Sequence, residues 1–279
     1  MLLRIPHTYH AVKPRFCGCI ILKTMTSLDS VILGFVEGVT EFLPISSTGH
    51  LILTGHLLGI PVTDFFKTYE VAIQLGAIAA VAILYWRSFL DIGILKRLVA
   101  AFIPTAVVGL VLYKFIKDFL FENMEVLLAS FVIGGLILIA LELFHKEKED
   151  AHKSVKDITY FQAFLIGLAQ SIAIIPGISR SGASIMGGLL VGVSRIAIVE
   201  FSFLLAVPTI AAATGYDMLK NSYSFTMDEF WLLAIGFVTS FVVAMVVIRV
   251  FLDFIRKYTF IPFGIYRIVL ALVFFFVIL

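Results

Sequence analysis

Six uninterrupted apolar stretches, each about as long as a membrane-spanning helix, dominate the pattern of the chain. A helix needs about 20 apolar residues to cross the hydrocarbon core of a bilayer. Most charged residues lie between these stretches rather than within them, which is typical of separate transmembrane spans. The predicted spans are residues 70–87, 95–117, 125–144, 196–216, 230–252 and 262–279.

Two further apolar stretches, residues 27–59 and 161–193, are each broken near the middle by a short polar segment. Pro44 precedes Ser-Ser-Thr-Gly in the first, and Pro176-Gly177 precedes Ser-Arg-Ser-Gly in the second. Proline ends or kinks a helix, and a broken backbone at membrane depth is tolerated only inside protein or beside a water-filled cavity. The pattern therefore predicts two helical hairpins that enter the bilayer and turn back.

The two broken stretches repeat one another without a gap when the first is shifted by 133 residues. This agreement predicts an internal duplication, with repeats over about 27–144 and 161–279 in one membrane domain of residues 25–279. Three full spans separate the hairpins, so the repeats have opposite orientation, as in many transporters. We therefore predict an all-α integral membrane protein with about six transmembrane helices and two re-entrant hairpins in an inverted-topology repeat. The aligned pairs include Gly34 with Gly167, Glu37 with Gln170, Ser46 with Ser179, Gly49 with Gly182 and Gly59 with Gly192.

The composition agrees with a membrane protein and excludes several other classes. The chain has 279 residues, of which 61% are hydrophobic and only 14% charged, with a mean hydropathy of +1.06. Soluble domains carry about 25% charged residues. The net charge of +2 provides no basic field for nucleic acid, so membrane lipids are the expected surroundings. Eleven Lys and Arg at the span ends and in the connecting loops lie on one side and four on the other, which places the first side in the cytoplasm and the first hairpin at the outer face.

The first 24 residues differ from the rest of the chain. They are basic, contain two prolines and have only a short apolar run at 19–22, too short for the core of a signal peptide. Met25 offers a second plausible start, so residues 1–24 are predicted to be an extension outside the folded body. Cys17 and Cys19, the only cysteines, form too weak a pattern for a metal site.

Glu37 and Glu41 are the first candidates for chemistry. They lie four residues apart in a helical stretch, so both carboxylates project from one face and repel each other. Ionisable groups in apolar segments are costly and face a cavity or a partner. A shared Mg²⁺ or Ca²⁺ would relieve the repulsion, since these ions prefer carboxylate oxygens. The alternative is that one glutamate is protonated or caps the broken helix.

The loop after this helix places hydroxyl groups beside an imidazole. Ser46, Ser47, Thr48 and His50 lie within five positions, and they could supply a nucleophile and a proton carrier. A hydroxyl-rich turn that satisfies backbone groups freed by Pro44 explains the same residues equally well.

The second loop contains Arg180 deep within a broken apolar stretch. An isolated arginine at that depth needs an anion, and its guanidinium is suited to bidentate phosphate binding. The alternative is a buried ion pair with a glutamate of the first loop, and the two hypotheses are compatible. Two other charged residues in apolar segments, Glu142 and Arg267, lie near span ends and are expected to reach the interface, while Glu200 is expected to pair with Arg195 or with a helix end.

Together the two loops would bring carboxylates, hydroxyls, a histidine and an arginine to one site at the bilayer midplane. Charge neutralisation, positioning and a nucleophile are what phosphoryl transfer requires. A site inside a bilayer protein favours a substrate with a lipid tail. A lipid or anion transporter or flippase remains the alternative, because the inverted repeat and broken helices support it independently.

At these residues the chain resembles a known family. The segments E-G-V-T-E-F-L-P-I-S-S-T-G-H (37–50) and P-G-I-S-R-S-G-A-S (176–184) are similar to the two signatures of bacterial undecaprenyl-diphosphate phosphatases, the bacitracin-resistance family. The likeness covers about residues 27–279. It implies removal of the terminal phosphate from undecaprenyl diphosphate to give the monophosphate carrier of cell-wall synthesis. It also implies a Mg²⁺ or Ca²⁺ requirement and a bacterial plasma-membrane location with the site opening to the outer face.

The resemblance also implies roles for individual residues. Glu37 and Glu41 become the acidic, metal-binding pair, His50 the catalytic histidine and Arg180 the phosphate-binding arginine. Ser47 becomes the candidate nucleophile, with His50 as its base in our hypothesis, although serine or histidine as nucleophile remains open. The supporting phosphate-binding hydroxyls are Ser46, Ser179, Ser181 and Ser184, the last standing where the family pattern has threonine. Oligomeric state stays open, a homo-oligomer included.

Overall fold

The computed structural model describes residues 24–119, 124–144, 154–220 and 226–278, and every regular element in these ranges is helical. The predicted extension falls almost wholly outside the described residues. Three short 3-10 turns, Ser88–Leu90, Val155–Asp157 and Ser171–Ile174, join ten α-helices. The helices are α1 (Ser27–Thr40), α2 (Ser47–Leu57), α3 (Asp64–Leu84), α4 (Ile92–Phe119), α5 (Met124–Phe144), α6 (Tyr160–Gln170), α7 (Arg180–Leu190), α8 (Arg195–Lys220), α9 (Met227–Ile255) and α10 (Ile261–Ile278).

The predicted all-α membrane architecture is confirmed. Within the described ranges, α3, α4, α5, α8 and α9 are long and apolar enough to cross a bilayer, and the shorter α10 occupies the sixth predicted span. Helix α3 begins six residues before the predicted span because Thr63 caps it, accepting a hydrogen bond of 3.1 Å from the Phe66 amide. The hydrophobicity pattern does not predict this start because the first two turns of α3 contain charged residues.

Both broken stretches form helical hairpins with matching boundaries. The first hairpin is α1, a first loop (residues 41–46) and α2; the second is α6, a second loop (residues 171–179) and α7. Each hairpin begins with a capping box, formed by Thr26 with Asp29 in the first and by Thr159 with Gln162 in the second. The two capping boxes are separated by the repeat shift of 133 residues. The same shift places the start of α1 on the start of α6, and it places both ends of α2 on the two ends of α7.

Helices of one repeat pack against helices of the other, in pairs that the 133-residue shift relates to one another. Helix α1 packs on α9 and α6 packs on α4, while α3 packs on α8 and α5 on α10. Small residues bring the crossing backbones together: a Cβ on Gly34 would lie 2.6 Å from the Gly236 carbonyl oxygen, and one on Gly167 would overlap the Ala101 carbonyl. These close crossings bring the two loops towards each other.

Two charged residues near the ends of predicted spans are buried rather than interfacial. Glu142 on α5 forms an ion pair with Arg195 at the start of α8, so Arg195 does not pair with Glu200 as expected. Arg267 on α10 is only 2% exposed and lies between the loops. A charge in apolar surroundings is retained where polar groups on neighbouring helices satisfy it, which a span boundary cannot reveal.

Candidate functional site

The acidic pair lies at the buried end of α1. Glu37 is fully buried, and Glu41, the C-cap of the helix, is 7% exposed. Both carboxylate oxygens of Glu37 lack a hydrogen-bond partner among the described residues, and so does one oxygen of Glu70 on neighbouring α3. The carboxylates of Glu41 and Glu70 thus both act on that of Glu37 in an apolar interior.

The first loop ends in a strained residue. Ser46 has φ +72°, and no other non-glycine residue of the described ranges has a positive φ. Holding such a conformation costs about 1–3 kcal/mol and needs support from the surroundings. The support here includes His50, whose Nδ1 donates a hydrogen bond of 2.7 Å to the Ser46 carbonyl oxygen.

His50 is held on both of its nitrogens. A carbonyl oxygen only accepts, so Nδ1 carries a proton, and in the neutral ring Nε2 accepts from the Tyr266 hydroxyl at 2.8 Å. The two rings are stacked with centroids 5.6 Å apart. The expected hydrogen bond between Ser47 and His50 is absent from this part of the chain, because both imidazole nitrogens are engaged elsewhere.

Ser47, Glu41 and Arg180 form a continuous chain of polar contacts instead. The Ser47 hydroxyl donates to Oε2 of Glu41, while Arg180 Nη2 donates to Oε1 of the same carboxylate at 2.9 Å. Arg180 Nη1 donates to the Ser202 carbonyl oxygen on α8, also at 2.9 Å. The structure therefore brings the predicted hydroxyl, acid and arginine together across 139 positions of sequence.

The serines of the second signature mainly hold the backbone in place. Ser179 caps α7 by accepting from the Gly182 amide at 3.0 Å. Ser181 donates to the Leu43 carbonyl oxygen of the first loop at 2.7 Å. Ser184 shares a hydrogen bond of 2.7 Å with Ser202. These hydroxyls fix α7 against the first loop and α8, and so fix the position of Arg180.

Arg267 joins both loops and was not recognised from the sequence. Its guanidinium donates to the carbonyl oxygens of Ser130 and Gly177 at 2.9 Å, and to those of Phe131 and Pro44 at 3.3 Å. It also lies over the Phe131 ring, 5.2 Å from the centroid. The available signal was an arginine in an otherwise apolar final span, but its bonding partners are distant in sequence.

A cavity of about 640 Å³ opens beside the Ser47–Glu41–Arg180 chain. Charged and hydroxyl groups of the two loops line one part of it, and the rest of its lining, mainly from α4, α8 and the second loop, is largely apolar apart from the polar side chains Gln74, Thr105, Gln170, Ser171 and Thr209, which suits a charged head group with a lipid tail. His50 and Glu37 are not among the described residues that line it. The polar end includes Glu41, Ser46, Ser47, Thr48, Ser179 and Arg180, and the apolar walls include Phe102, Ala106, Leu110, Ile178, Ile210 and Tyr216.

The candidate ligands for a metal ion at this site are the carboxylates of Glu37 and Glu41. Within the described ranges, no group of three or more His, Cys, Asp or Glu side chains is arranged to hold a metal ion. The unpartnered oxygens of Glu37 are nevertheless hard acceptors of the kind that Mg²⁺ and Ca²⁺ prefer, and the Glu41 carboxylate adjoins them. The donor chemistry fits such an ion, with substrate oxygens and water needed to complete its shell.

Comparison with known proteins shows extensive similarity. The family model of bacitracin resistance protein BacA matches residues 30–273. A protein of Sulfurihydrogenibium sp. (strain YO3AOP1) is 52% identical over 251 residues, covering 90% of this chain and 99% of its own. Proteins of Aquifex aeolicus and Wolinella succinogenes are 51% and 49% identical, each over 90% of this chain and 98% of their own. All three relatives are named undecaprenyl-diphosphatase.

Proposed function

The chain belongs to the BacA family, and we propose on this premise that it is an undecaprenyl-diphosphatase that hydrolyses undecaprenyl diphosphate to undecaprenyl phosphate and inorganic phosphate. The observation that carries the proposal is the Ser47–Glu41–Arg180 chain at the polar end of a cavity with apolar walls. Transport without hydrolysis is not favoured, since the similar proteins carry the name of a phosphatase.

Arg180 is the group we propose for binding the terminal phosphate. Its Nε has no hydrogen-bond partner in the described part of the chain, and its Nη2 contacts Glu41, so two donors can be turned to an incoming phosphoryl group. The side chain is 14% exposed, at the cavity surface, and Nη1 stays anchored on Ser202. The apolar walls then hold the first isoprene units of the tail.

Ser47 is the nucleophile and Glu41 its base in the proposed reaction. The Ser47 hydroxyl already donates to Glu41, so the proton passes to that carboxylate as Oγ bonds to the terminal phosphorus. The anhydride P–O bond breaks, and the departing undecaprenyl phosphate takes the proton from Glu41. Water then attacks phosphoserine, the serine O–P bond breaks, and Glu41 transfers a proton of the water to Ser47 as phosphate is released.

His50 receives a positioning role in this scheme, replacing the base role expected from the sequence. Its Nδ1 supports the strained Ser46 carbonyl, next to the nucleophile, and Tyr266 holds the opposite edge of the ring. Substitution of His50 should therefore change the loop that carries Ser47 rather than remove the proton acceptor.

We also propose that a Mg²⁺ or Ca²⁺ ion acts with Glu37 and Glu41. The support is the buried pair of Glu37 oxygens, which have no partner among the described residues. Such an ion, when bound, supplies positive charge that offsets the charge of the diphosphate.

We place the protein in the bacterial plasma membrane with the cavity opening to the outer face, because the basic loops predict the opposite side as cytoplasmic.

The test is phosphate release from undecaprenyl diphosphate by the purified protein in detergent, with Mg²⁺ and with EDTA. Arg180→Ala and Ser47→Ala should each lower kcat/KM by about 100-fold or more, the scale of losing one preorganised transition-state group. Arg249→Ala is the matched control, because Arg249 is an exposed arginine of α9. A folded Ser47→Ala protein with full activity would exclude Ser47 as nucleophile, and activity retained in EDTA would exclude the metal.

A further inference from the structure

Two polar atoms of the residues lining the cavity are buried without a hydrogen-bond partner within the described ranges. One is a donor, Nε of Arg180, and the other is an acceptor, Oε1 of Gln170. Gln170 ends α6 and is only 1% exposed. A buried polar atom that faces a cavity without a protein partner costs free energy unless a ligand or a water satisfies it.

The orientation of the Gln170 amide is fixed by two threonines. Nε2 donates to Oγ1 of Thr105 at 3.2 Å and to Oγ1 of Thr209 at 3.3 Å. Each threonine hydroxyl directs its own hydrogen elsewhere, to the carbonyl oxygens of Gly167 at 2.9 Å and Leu205 at 2.7 Å. With both hydroxyl hydrogens directed to these carbonyls, the threonine oxygens accept from the amide NH2 group, and Oε1 is the atom left without a partner among the described residues.

Helix α8 places this acceptor close to the phosphate-binding arginine. Arg180 is bonded to the Ser202 carbonyl, and the threonine that holds Gln170 is bonded to the Leu205 carbonyl. These carbonyls are three residues apart, which is a rise of about 4.5 Å along a helix. Both side chains also line the same cavity, so Gln170 and Arg180 face one shared space beside neighbouring turns of α8.

The chemistry of Oε1 selects its ligand. A neutral carbonyl oxygen binds an O–H or N–H donor and does not attract an anion. The isoprene tail and an esterified, ionised phosphate offer no such hydrogen, whereas the water consumed by hydrolysis does. We propose that Gln170, held by Thr105 and Thr209, binds and orients the hydrolytic water. This inference rests on the proposed phosphatase function.

In this arrangement the water donates one hydrogen to Gln170 Oε1 and directs a lone pair at phosphorus. Its second hydrogen passes to Glu41 as the new O–P bond forms and the Ser47 O–P bond breaks. Arg180 Nε meanwhile donates to a phosphoryl oxygen, so the two unpartnered atoms of the cavity are satisfied together. The amide takes no proton; it positions the nucleophile.

The test is Gln170→Met, which keeps the volume of the side chain and removes the acceptor. Hydrolysis of undecaprenyl diphosphate is measured in buffer containing methanol, and ³¹P NMR separates inorganic phosphate from methyl phosphate. We expect kcat to fall about 10–100-fold with KM unchanged, the scale of a misplaced reactant. The share of methyl phosphate should rise, because a thioether favours methanol over water.

Gln162→Met is the control on the same helix: Gln162 lies outside the cavity, and its partners are the Val191 carbonyl and the capping box of α6, so this variant is expected to lower stability and leave the product ratio unchanged. Thr209→Val keeps the test informative should Gln170→Met not fold, and is expected to shift the product ratio in the same direction. A folded variant with lower activity but an unchanged product ratio would overturn the inference. Absence of phosphate release by the unaltered protein would instead refute the proposed function itself.

Discussion

Arg267→Met should disrupt the site more than any substitution of an exposed arginine. Arg267 is 2% exposed on α10, and its guanidinium bonds to carbonyls of both loops, at Pro44 and Gly177. Methionine has similar length and fills the same apolar space, but it donates no hydrogen bond. The loop carbonyls of Pro44 and Gly177 would then lose their charged donor, while those of Ser130 and Phe131 would keep the backbone hydrogen bonds of α5.

The magnitude follows from the bonds that are lost. A hydrogen bond from a charged donor contributes about 1.5–3 kcal/mol, so the two 2.9 Å bonds to Ser130 and Gly177 together represent about 3–6 kcal/mol. This is an upper estimate, because removing an unpaired buried charge also removes its desolvation cost. If displacement of the two loops raises the activation free energy by about 3 kcal/mol, the rate of catalysis falls by roughly 100-fold.

The assay compares phosphate release and the unfolding temperature in detergent for Arg267→Met, Arg267→Lys and the exposed control Arg249→Met. Lysine keeps the charge but cannot reach four carbonyls from one plane, so Arg267→Lys should recover little activity. Full activity and an unaltered unfolding temperature in Arg267→Met would refute the reasoning. Recovery by lysine would show that charge matters and the loop contacts do not.

Two further predictions concern the backbone and the surface. Gly177 and Gly192 have nearly the same φ, +87° and +85°, but a Cβ on Gly177 would lie 2.7 Å from the Leu127 carbonyl oxygen while Gly192 is in open space. Gly192→Ala should therefore cost about 1 kcal/mol of stability, from conformation alone, and Gly177→Ala should cost more and reduce activity. Lys156 lies 2.8 Å from Asp91, and this hydrogen bond lowers the pKa of the Asp91 carboxyl. Its small stabilisation is therefore present at neutral pH and lost on acidification, so unfolding temperatures of the unaltered protein and Lys156→Met should converge at low pH, and an undiminished difference there would contradict this.

The sequence predicted the hairpins well because their signals are local. Prolines, capping residues and apolar runs act within a few positions of the chain, and the hairpin helices match the two predicted broken stretches to within one residue at their starts. The meeting of the loops was also predicted, since an arginine in an apolar interior needs an anion, and a glutamate of the first loop was one of the two anions considered for Arg180. The ion pair with Glu41 agrees with that alternative.

The partners of individual site residues were less predictable. His50 lies three residues from Ser47, which suggested a pair, but its imidazole bonds to Tyr266, 216 positions away. The repeat alignment paired Gln170 with Glu37, but it gave no indication that Thr105 and Thr209 are the hydrogen-bond partners of Gln170. These contacts depend on how helices rotate about their axes, which hydrophobic periodicity fixes only to within a face.

The sequence alone determined the membrane environment, the duplicated hairpins and the residue types available for phosphoryl chemistry, because composition and local breaks in apolar runs carry that information. Only the tertiary structure decided which donor meets which acceptor. It assigned Glu41 to both Ser47 and Arg180, Tyr266 to His50, and Arg267 to the backbone of both loops. The physical reason is that hydrogen bonds act over about 3 Å, so their partners depend on the path of each loop, as for Ser47 and Glu41, and on helix packing that brings distant parts of the chain together, as for Glu41 and Arg180.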